Sequence, residues 1–133
     1  MKLFPLVAEA FAQVQLGDHV YALFHQFEKE SQKNQDFKLL DILHHLTSGA
    51  KSVHSQNTID GLILIRQSLG GAGYTAWSGI PRLIFDYSPV VTFEGDNTVM
   101  SQQSFNYLLK QATKAVQGKD AGKLEPKLKY LNQ

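Results

Sequence analysis

The sequence has no cysteine among its 133 residues, so neither disulfides nor thiol chemistry are available to it. Long apolar runs are also missing. Runs such as Leu62–Ile65 and Val20–Phe24 are far shorter than the roughly 20 residues that a membrane-spanning helix needs. A formal net charge of +1 gives no electrostatic reason to expect nucleic acid or an anionic membrane as a partner. Hydrophobic residues at 43% and charged residues at 19% predict an ordinary globular domain with a core.

Helical periodicity dominates the first part of the chain. Apolar residues recur at helical spacing from Leu6 to Phe27, and Pro5 suits a first helical turn. Gly17 interrupts the run, which indicates either a local weakness or a close approach of another helix. The polar residues 28–34 predict the end of this helix and a turn.

A second long helix is predicted from an N-cap at Asp36 to about Leu69. Its middle, residues 48–58, is polar and small. This segment either packs against another helix through small residues or breaks the helix. The glycine-rich segment Gly70–Tyr74 ends the helix. A loop follows in which Tyr74 and Trp77 either stack on a flat ligand or hold the loop against the bundle.

The rest of the chain predicts a short helix, Arg82–Tyr87, and a last long helix from about Thr98 to Gln117 with Gly118 as its C′ residue. Its inward-facing residues are expected to be Val99, Met100, Gln103, Tyr107, Leu108 and Ala112. The sequence therefore predicts an all-α bundle of three long helices plus a short one. Residues 1–118 form one domain in this interpretation, and 119–133 form a loosely ordered tail.

One carboxylate stands out at the entry to the last helix. Glu94 lies between Phe93 and Gly95, and Asp96, Asn97 and Thr98 behind it are all good helix N-caps. Free backbone N–H groups at such a junction can meet an anionic or acceptor ligand, and a glycine lets backbone come close to one. By itself, the segment fits a capped helix with a solvated acid better than a catalytic site.

Two other features of the sequence, a glycine motif and the histidines, give weaker indications of function. Gly71–Ala76 fits G-x-G-x-x-A, the dinucleotide fingerprint, with Leu62–Ile65 as the strand before it. The glycines follow a helical pattern, however, and Pro81 lies where the next helix should run, so we reject this interpretation. The five histidines lack the i, i+4 spacing of a helical zinc site, and we expect no metal; His44 and His45 are interpreted as surface or interhelical residues.

Several segments together carry a family resemblance. In order and spacing the chain resembles the C-terminal part of peroxisomal acyl-CoA oxidases, within the superfamily of the acyl-CoA dehydrogenases. The resemblance is carried by Lys2–Leu6, Gly70–Tyr74, Ser78–Pro81, Pro89 and Thr92–Met100. It runs from the first residues to about Gly118 and implies the C-terminal helical bundle of an FAD enzyme that is usually dimeric.

The resemblance implies roles for individual residues. Glu94 matches the catalytic base, which removes the α-proton of a fatty acyl-CoA, and Gly95 lies at the substrate. FAD would take the β-hydrogen and O2 would be reduced to H2O2, giving a trans-2-enoyl-CoA. Contacts to FAD are implied for Gln67, Gly70, Gly71, Asp96 and Asn97. The dehydrogenases often have Thr or Ser where this chain has Asp96, so a side-chain contact there cannot be copied directly.

The chain therefore resembles an excised piece of an oxidase or a truncated relative, and we expect it to be inactive alone because half of the flavin site is absent. We also expect self-association, because the freed bundle face exposes apolar surface that the rest of the enzyme would cover. The resemblance implies that the parent is a homodimer. The family implies a peroxisome, although the chain has no recognisable targeting signal. The alternatives are a dehydrogenase that uses an electron-transfer partner, and a non-catalytic helical interaction module.

Overall fold

The computed structural model describes residues 2–34 and 37–116. Over these residues the chain is helical and contains no strand. The helices are α1 (Leu3–Asn34), α2 (Lys38–Ser68), α3 (Gly71–Tyr74), α4 (Ile80–Tyr87) and α5 (Asn97–Val116), with 3-10 turns at Ala76–Ser78 and Ser88–Val91. The predicted all-α bundle of three long helices and a short one is confirmed. The single-turn helix α3 was not predicted: the glycine segment was expected to end α2 and lead into a loop.

The first helix is longer than its periodicity predicts. It continues through residues 28–34, where a turn was expected, and through Gly17. The polar segment contains good helix formers, and neighbouring side chains support it at helical spacing. Gln26 Nε2 donates to Glu30 Oε1 at 2.7 Å, and His25 Nδ1 lies 3.0 Å from Glu28 Oε2. Loss of apolar periodicity therefore marked the end of the packed surface, not the end of the helix.

The second helix is the centre of the bundle, since α1, α4 and α5 all pack against it. It is continuous across residues 48–58, which settles the alternative that the sequence left open. Ser48, Ser52 and Ser55 are buried there. A Cβ on Gly49 would lie 2.9 Å from Ser104 Oγ, so these small residues let α5 approach closely. The expected N-cap, Asp36, lies outside the described residues.

The bundle leaves much of its apolar surface open. Leu43, at 6% exposure, is the one buried large hydrophobic residue of the described chain. The outer face of α1 carries an apolar stripe whose side chains are 60–72% exposed: Phe4, Val7, Phe11, Val14 and Tyr21. We call this the α1 stripe. The described helices include none with the length and apolar character of a transmembrane span.

The last helix begins and ends close to its predicted bounds. It starts at Asn97, one residue before the expectation, and Gly118 lies outside the described residues, as does the predicted tail 119–133. Its packed face is partly different from the predicted one. Val99 and Gln103 are exposed, whereas Ser104 packs against α2. The interface with α2 is polar and small, so apolar periodicity does not reveal it.

Candidate functional site

The predicted base lies in a turn with an unusual backbone. After the 3-10 turn at Ser88–Val91, the N–H groups of Thr92 and Phe93 both donate to the Pro89 carbonyl at 2.9 Å. Glu94 then has φ 56°, the one non-glycine residue with positive φ in the described chain, and Gly95 has φ 106°. A left-handed conformation costs a non-glycine residue about 1–2 kcal/mol. Something outside the turn must therefore stabilise it.

The Glu94 side chain projects to the surface. It is exposed, and its carboxylate has no hydrogen-bond or ion-pair partner among residues 2–34 and 37–116. The backbone N–H of Glu94 likewise makes no hydrogen bond within this part of the chain. An acid and a donor are thus both available at one residue, which is what a base next to an oxyanion-binding group requires.

Asp96 is the N-cap of α5, as the sequence predicts. Its Oδ1 accepts a hydrogen bond from the Thr98 N–H at 2.8 Å, and its carbonyl accepts the first helical bond from Met100 at 2.9 Å. The bond from the Thr98 N–H holds the pKa of the Asp96 carboxyl below its usual value, with the Thr98 side chain and the positive charge of Lys51 adding to this effect. The carboxylate form is therefore the one that caps the helix.

A cation from the middle of α2 reaches this junction. Lys51 Nζ donates to the Gly95 carbonyl at 2.6 Å and to Asn97 Oδ1 at 2.8 Å. Ser55 Oγ donates to the same Asn97 oxygen at 3.0 Å. Ser52 Oγ donates to the Asn97 carbonyl at 3.1 Å and lies 2.6 Å from Ser101 Oγ. Sequence reasoning missed Lys51, although it is the only Lys or Arg within residues 48–58.

Asn97 points towards α2. Its side-chain oxygen is already shared by Lys51 and Ser55, and its Nδ2 is buried without a hydrogen-bond partner in the described structure. This arrangement anchors the first residue of α5 to α2. The role of Asn97 as a contact to a cofactor stays a prediction, and the structure directs its side chain into the bundle.

The other predicted residues form a second exposed group at the end of α2. Gln67, Gly70 and Gly71 are all exposed. Gly70 has φ 58°, and a Cβ on Gly70 or Gly71 would meet no atom within 4 Å, so the space beside their α-carbons is open. Gly73, in contrast, is buried, and a Cβ there would collide with the Arg66 carbonyl. Gly73 is therefore needed for close packing against α2, whereas Gly70 and Gly71 lie on the open surface.

The aromatic residues beside these glycines are open as well. Trp77 is 98% exposed and Tyr74 is 78% exposed. The alternative that they hold the loop against the bundle is therefore wrong, because neither ring is covered by it. Their availability to stack on a flat ligand stays a prediction.

The two groups lie at different points along α2. Lys51, which contacts Gly95 beside Glu94, and Gln67 are separated by about 24 Å along the helix at 1.5 Å per residue. The Glu94 turn is thus attached near the middle of α2, whereas Gln67 and the glycine turn lie at its C-terminal end.

The structure also shows where the dinucleotide-like motif and the histidines lie. Leu62–Ile65 belongs to α2, so the strand required by a dinucleotide fold is absent there. His45 lies between helices as expected, stacked on Tyr107 with ring centroids 4.7 Å apart and with Nδ1 2.9 Å from Ser104 Oγ. Among the described residues, no group of three or more potential metal ligands is placed to hold an ion.

Comparison with known proteins gives a consistent match. The family described as acyl-CoA oxidase, C-alpha1 domain, matches residues 1–109. Peroxisomal acyl-coenzyme A oxidase 1 of Phascolarctos cinereus is 35% identical over 131 residues, 98% of this chain and 19% of that protein. The protein of the same name from Homo sapiens is 36% identical over 118 residues, 89% of this chain and 18% of that protein.

Solved structures agree with the sequence match. Acyl-CoA oxidase-1 of Caenorhabditis elegans, crystallised in complex with FAD and ATP, is similar with a TM-score of 0.91 at 35% identity, over 99% of this chain and 20% of that chain. Arabidopsis thaliana acyl-CoA oxidase 1 gives a TM-score of 0.84 at 35% identity, over 93% of this chain and 18% of that chain. The chain thus spans about one fifth of the length of its relatives.

Proposed function

Because the chain belongs to the acyl-CoA oxidase family, we propose that it supplies the catalytic base and part of the FAD site of such an enzyme. The complete enzyme converts a fatty acyl-CoA to a trans-2-enoyl-CoA and reduces O2 to H2O2. The observation that carries the proposal is the Glu94 turn, where a strained backbone presents an unpaired carboxylate at the surface. Strain of this kind is concentrated at functional sites.

Glu94 acts as a general base in this proposal. Its carboxylate removes the pro-R α-proton, on the carbon next to the thioester carbonyl. That proton is only weakly acidic, so the base must be close, oriented and shielded from water. Shielding would come from the remaining four fifths of the enzyme, since in this chain Glu94 is exposed.

The Glu94 backbone has a second task. Its N–H group, which is unpaired within the described residues, donates to the thioester carbonyl oxygen, where negative charge develops as the proton leaves. On the family basis we also assign Gly95 to the substrate, which would approach its backbone from the side that Met100 leaves open. When bound, FAD supplies the acceptor for the β-hydride and the route by which O2 is reduced.

The exposed end of α2 fits a role in holding the cofactor. The side-chain amide of Gln67 offers both a donor and an acceptor, and Gly70 and Gly71 are exposed with open space on the side where a Cβ would lie. We assign these three residues to the nucleotide part of FAD. Asp96 already accepts the Thr98 N–H, so its contribution to FAD would come through its remaining carboxylate oxygen.

The cellular location, the oligomeric state and the substrate are assigned from the relatives. They are named peroxisomal oxidases, so we assign the complete protein to the peroxisome. We assign it a homodimeric state and a fatty acyl-CoA substrate on the same family basis. A chain that spans one fifth of those relatives holds only part of the flavin site, and we expect it to be inactive when isolated.

The proposal is tested with the full-length enzyme that carries this segment. Purified protein is mixed with acyl-CoA in air, and H2O2 formation is compared with reduction of an artificial electron acceptor. An oxidase forms peroxide without the acceptor. Acceptor reduction without peroxide would indicate a dehydrogenase, and the absence of both activities would leave the non-catalytic interaction module.

A further inference from the structure

The Glu94 turn is contacted by a side chain from another helix. Lys51 of α2 makes two short hydrogen bonds, to the Gly95 carbonyl at 2.6 Å and to Asn97 Oδ1 at 2.8 Å. Hydrogen bonds from an ammonium group are about twice as strong as neutral ones. The two acceptors lie on either side of Asp96, so one cation joins the end of the turn to the beginning of α5.

The first of these bonds fixes the direction of the backbone next to the base. The Gly95 carbonyl belongs to the peptide plane that follows Gly95, which has φ 106° and no side chain to restrict it. Once that carbonyl is held by Lys51, rotation about Gly95 would break a short, charge-assisted bond. Because Gly95 directly follows Glu94, this bond anchors the C-terminal end of the two-residue positive-φ turn from which the Glu94 side chain projects.

The second Lys51 bond, to Asn97, holds the start of α5. Asn97 Oδ1 accepts from both Lys51 and Ser55, and Ser52 holds the Asn97 carbonyl. The start of α5 is thereby attached to α2 over one helical turn. Lys51 is the only member of this network that also reaches the turn itself.

We propose that Lys51 is the positioning residue for the base Glu94, which it orients through the Gly95 carbonyl without contacting the carboxylate. This inference rests on the proposed function for its catalytic consequence. Misplacement of a reacting group by about 1 Å costs about a hundredfold in rate. Loss of Lys51 should therefore slow proton removal while leaving the binding surfaces in place.

The test uses three variants of the full-length oxidase. Lys51→Met keeps the side-chain length and removes the ammonium group. Lys51→Arg keeps the charge with a different donor geometry. Lys110→Met is the matched control, because Lys110 is exposed on α5 and has no partner within the described residues. The readout is the rate of flavin reduction per bound flavin after anaerobic mixing with acyl-CoA, alongside hydrogen exchange of the 95–100 amides.

We expect Lys51→Met to slow reduction per bound flavin by about tenfold to a hundredfold, with less than about a threefold change in KM. Exchange of the 95–100 amides should accelerate about tenfold, Lys51→Arg should recover part of the rate, and Lys110→Met should match the unmodified enzyme. A purely structural role would lower flavin content without changing the rate per bound flavin. That result, or a Lys51→Met rate equal to the unmodified one, overturns the inference.

Two further outcomes are also decisive. If Lys51→Met does not fold, Lys51→Gln takes its place, since it stays polar but lacks the ammonium group: a slowed rate supports the inference, and an unchanged rate overturns it. If the unmodified full-length protein is not reduced by any acyl-CoA, the proposed function fails separately. Hydrogen exchange then decides alone whether Lys51 holds the turn, since unchanged exchange in both Lys51 variants contradicts it.

Discussion

Gly95 lies so close to Met100 that a methyl group on Gly95 would come within 2.5 Å of the Met100 Cε atom. The thioether of the first turn of α5 thus closes over the backbone beside Glu94. The φ of 106° at Gly95 favours glycine, and any side chain there would also have to displace the flexible end of Met100. The turn is therefore constrained from two sides, by Met100 from α5 and by Lys51 from α2.

Gly95→Ala should destabilise the chain by about 1–3 kcal/mol, because alanine is strained at this φ and its Cβ must displace Met100. Urea unfolding followed by circular dichroism measures the effect. Gly17→Ala is the matched control: Gly17 lies within α1, and nothing is within 4 Å of its Cβ position. That change should stabilise the helix by about 0.5–1 kcal/mol. Equal stability of the two variants would contradict the described turn.

Glu94→Gln in the full-length enzyme should lower kcat by about a hundredfold to ten-thousandfold, the usual contribution of a positioned general base. The amide keeps the shape of the side chain and loses the ability to accept the proton. Peroxide formation from acyl-CoA measures the change. Asp60→Asn, on the exposed face of α2, is the control for loss of an acid and should remain active. Full activity of Glu94→Gln would refute its role as the base.

The Asp96 cap should make the stability of α5 sensitive to acid. Because folding lowers the pKa of Asp96, its contribution is complete above the unfolded value of about 3.9 and is lost as pH falls through the lower folded pKa. Asp96→Asn should retain a cap but lose this acid-dependent part, whereas Asp96→Ala should be less stable at neutral pH. Urea midpoints measured from about pH 7 to about pH 2.5 distinguish the three proteins. Identical profiles would show that the cap contributes nothing.

The isolated chain should self-associate through the α1 stripe. Its five side chains are each at least 60% exposed and recur every three, four or seven residues, which places them along one side of the helix. Phe11→Gln together with Val14→Gln should shift the chain towards monomer in light scattering over a range of concentrations. A control pair on α5, Phe105→Gln and Leu109→Gln, removes exposed apolar side chains outside the stripe and should change association less. A monomeric unmodified chain at all concentrations would contradict the prediction.

Much of this architecture could be predicted from local patterns. Apolar spacing identified α1, α2, α4 and α5, because a helix that packs on one side repeats every three to four residues. The cap at Asp96 was also predictable, since its partner, Thr98, is only two residues away. The end of α1 was not, because residues 28–34 are stabilised by polar neighbours at helical spacing and leave no apolar signal.

The sequence by itself determined the helices, the acid at the mouth of α5 and the family, because these depend on neighbouring residues and on motif order. Only the tertiary structure decided that Lys51 holds the Glu94 turn, that Asn97 faces α2 and that Trp77 is uncovered. Lys51 is 44 residues from Gly95 and 46 from Asn97 along the chain. No local periodicity encodes contacts at that separation, and a polar interface between two helices forms only when both are packed in register.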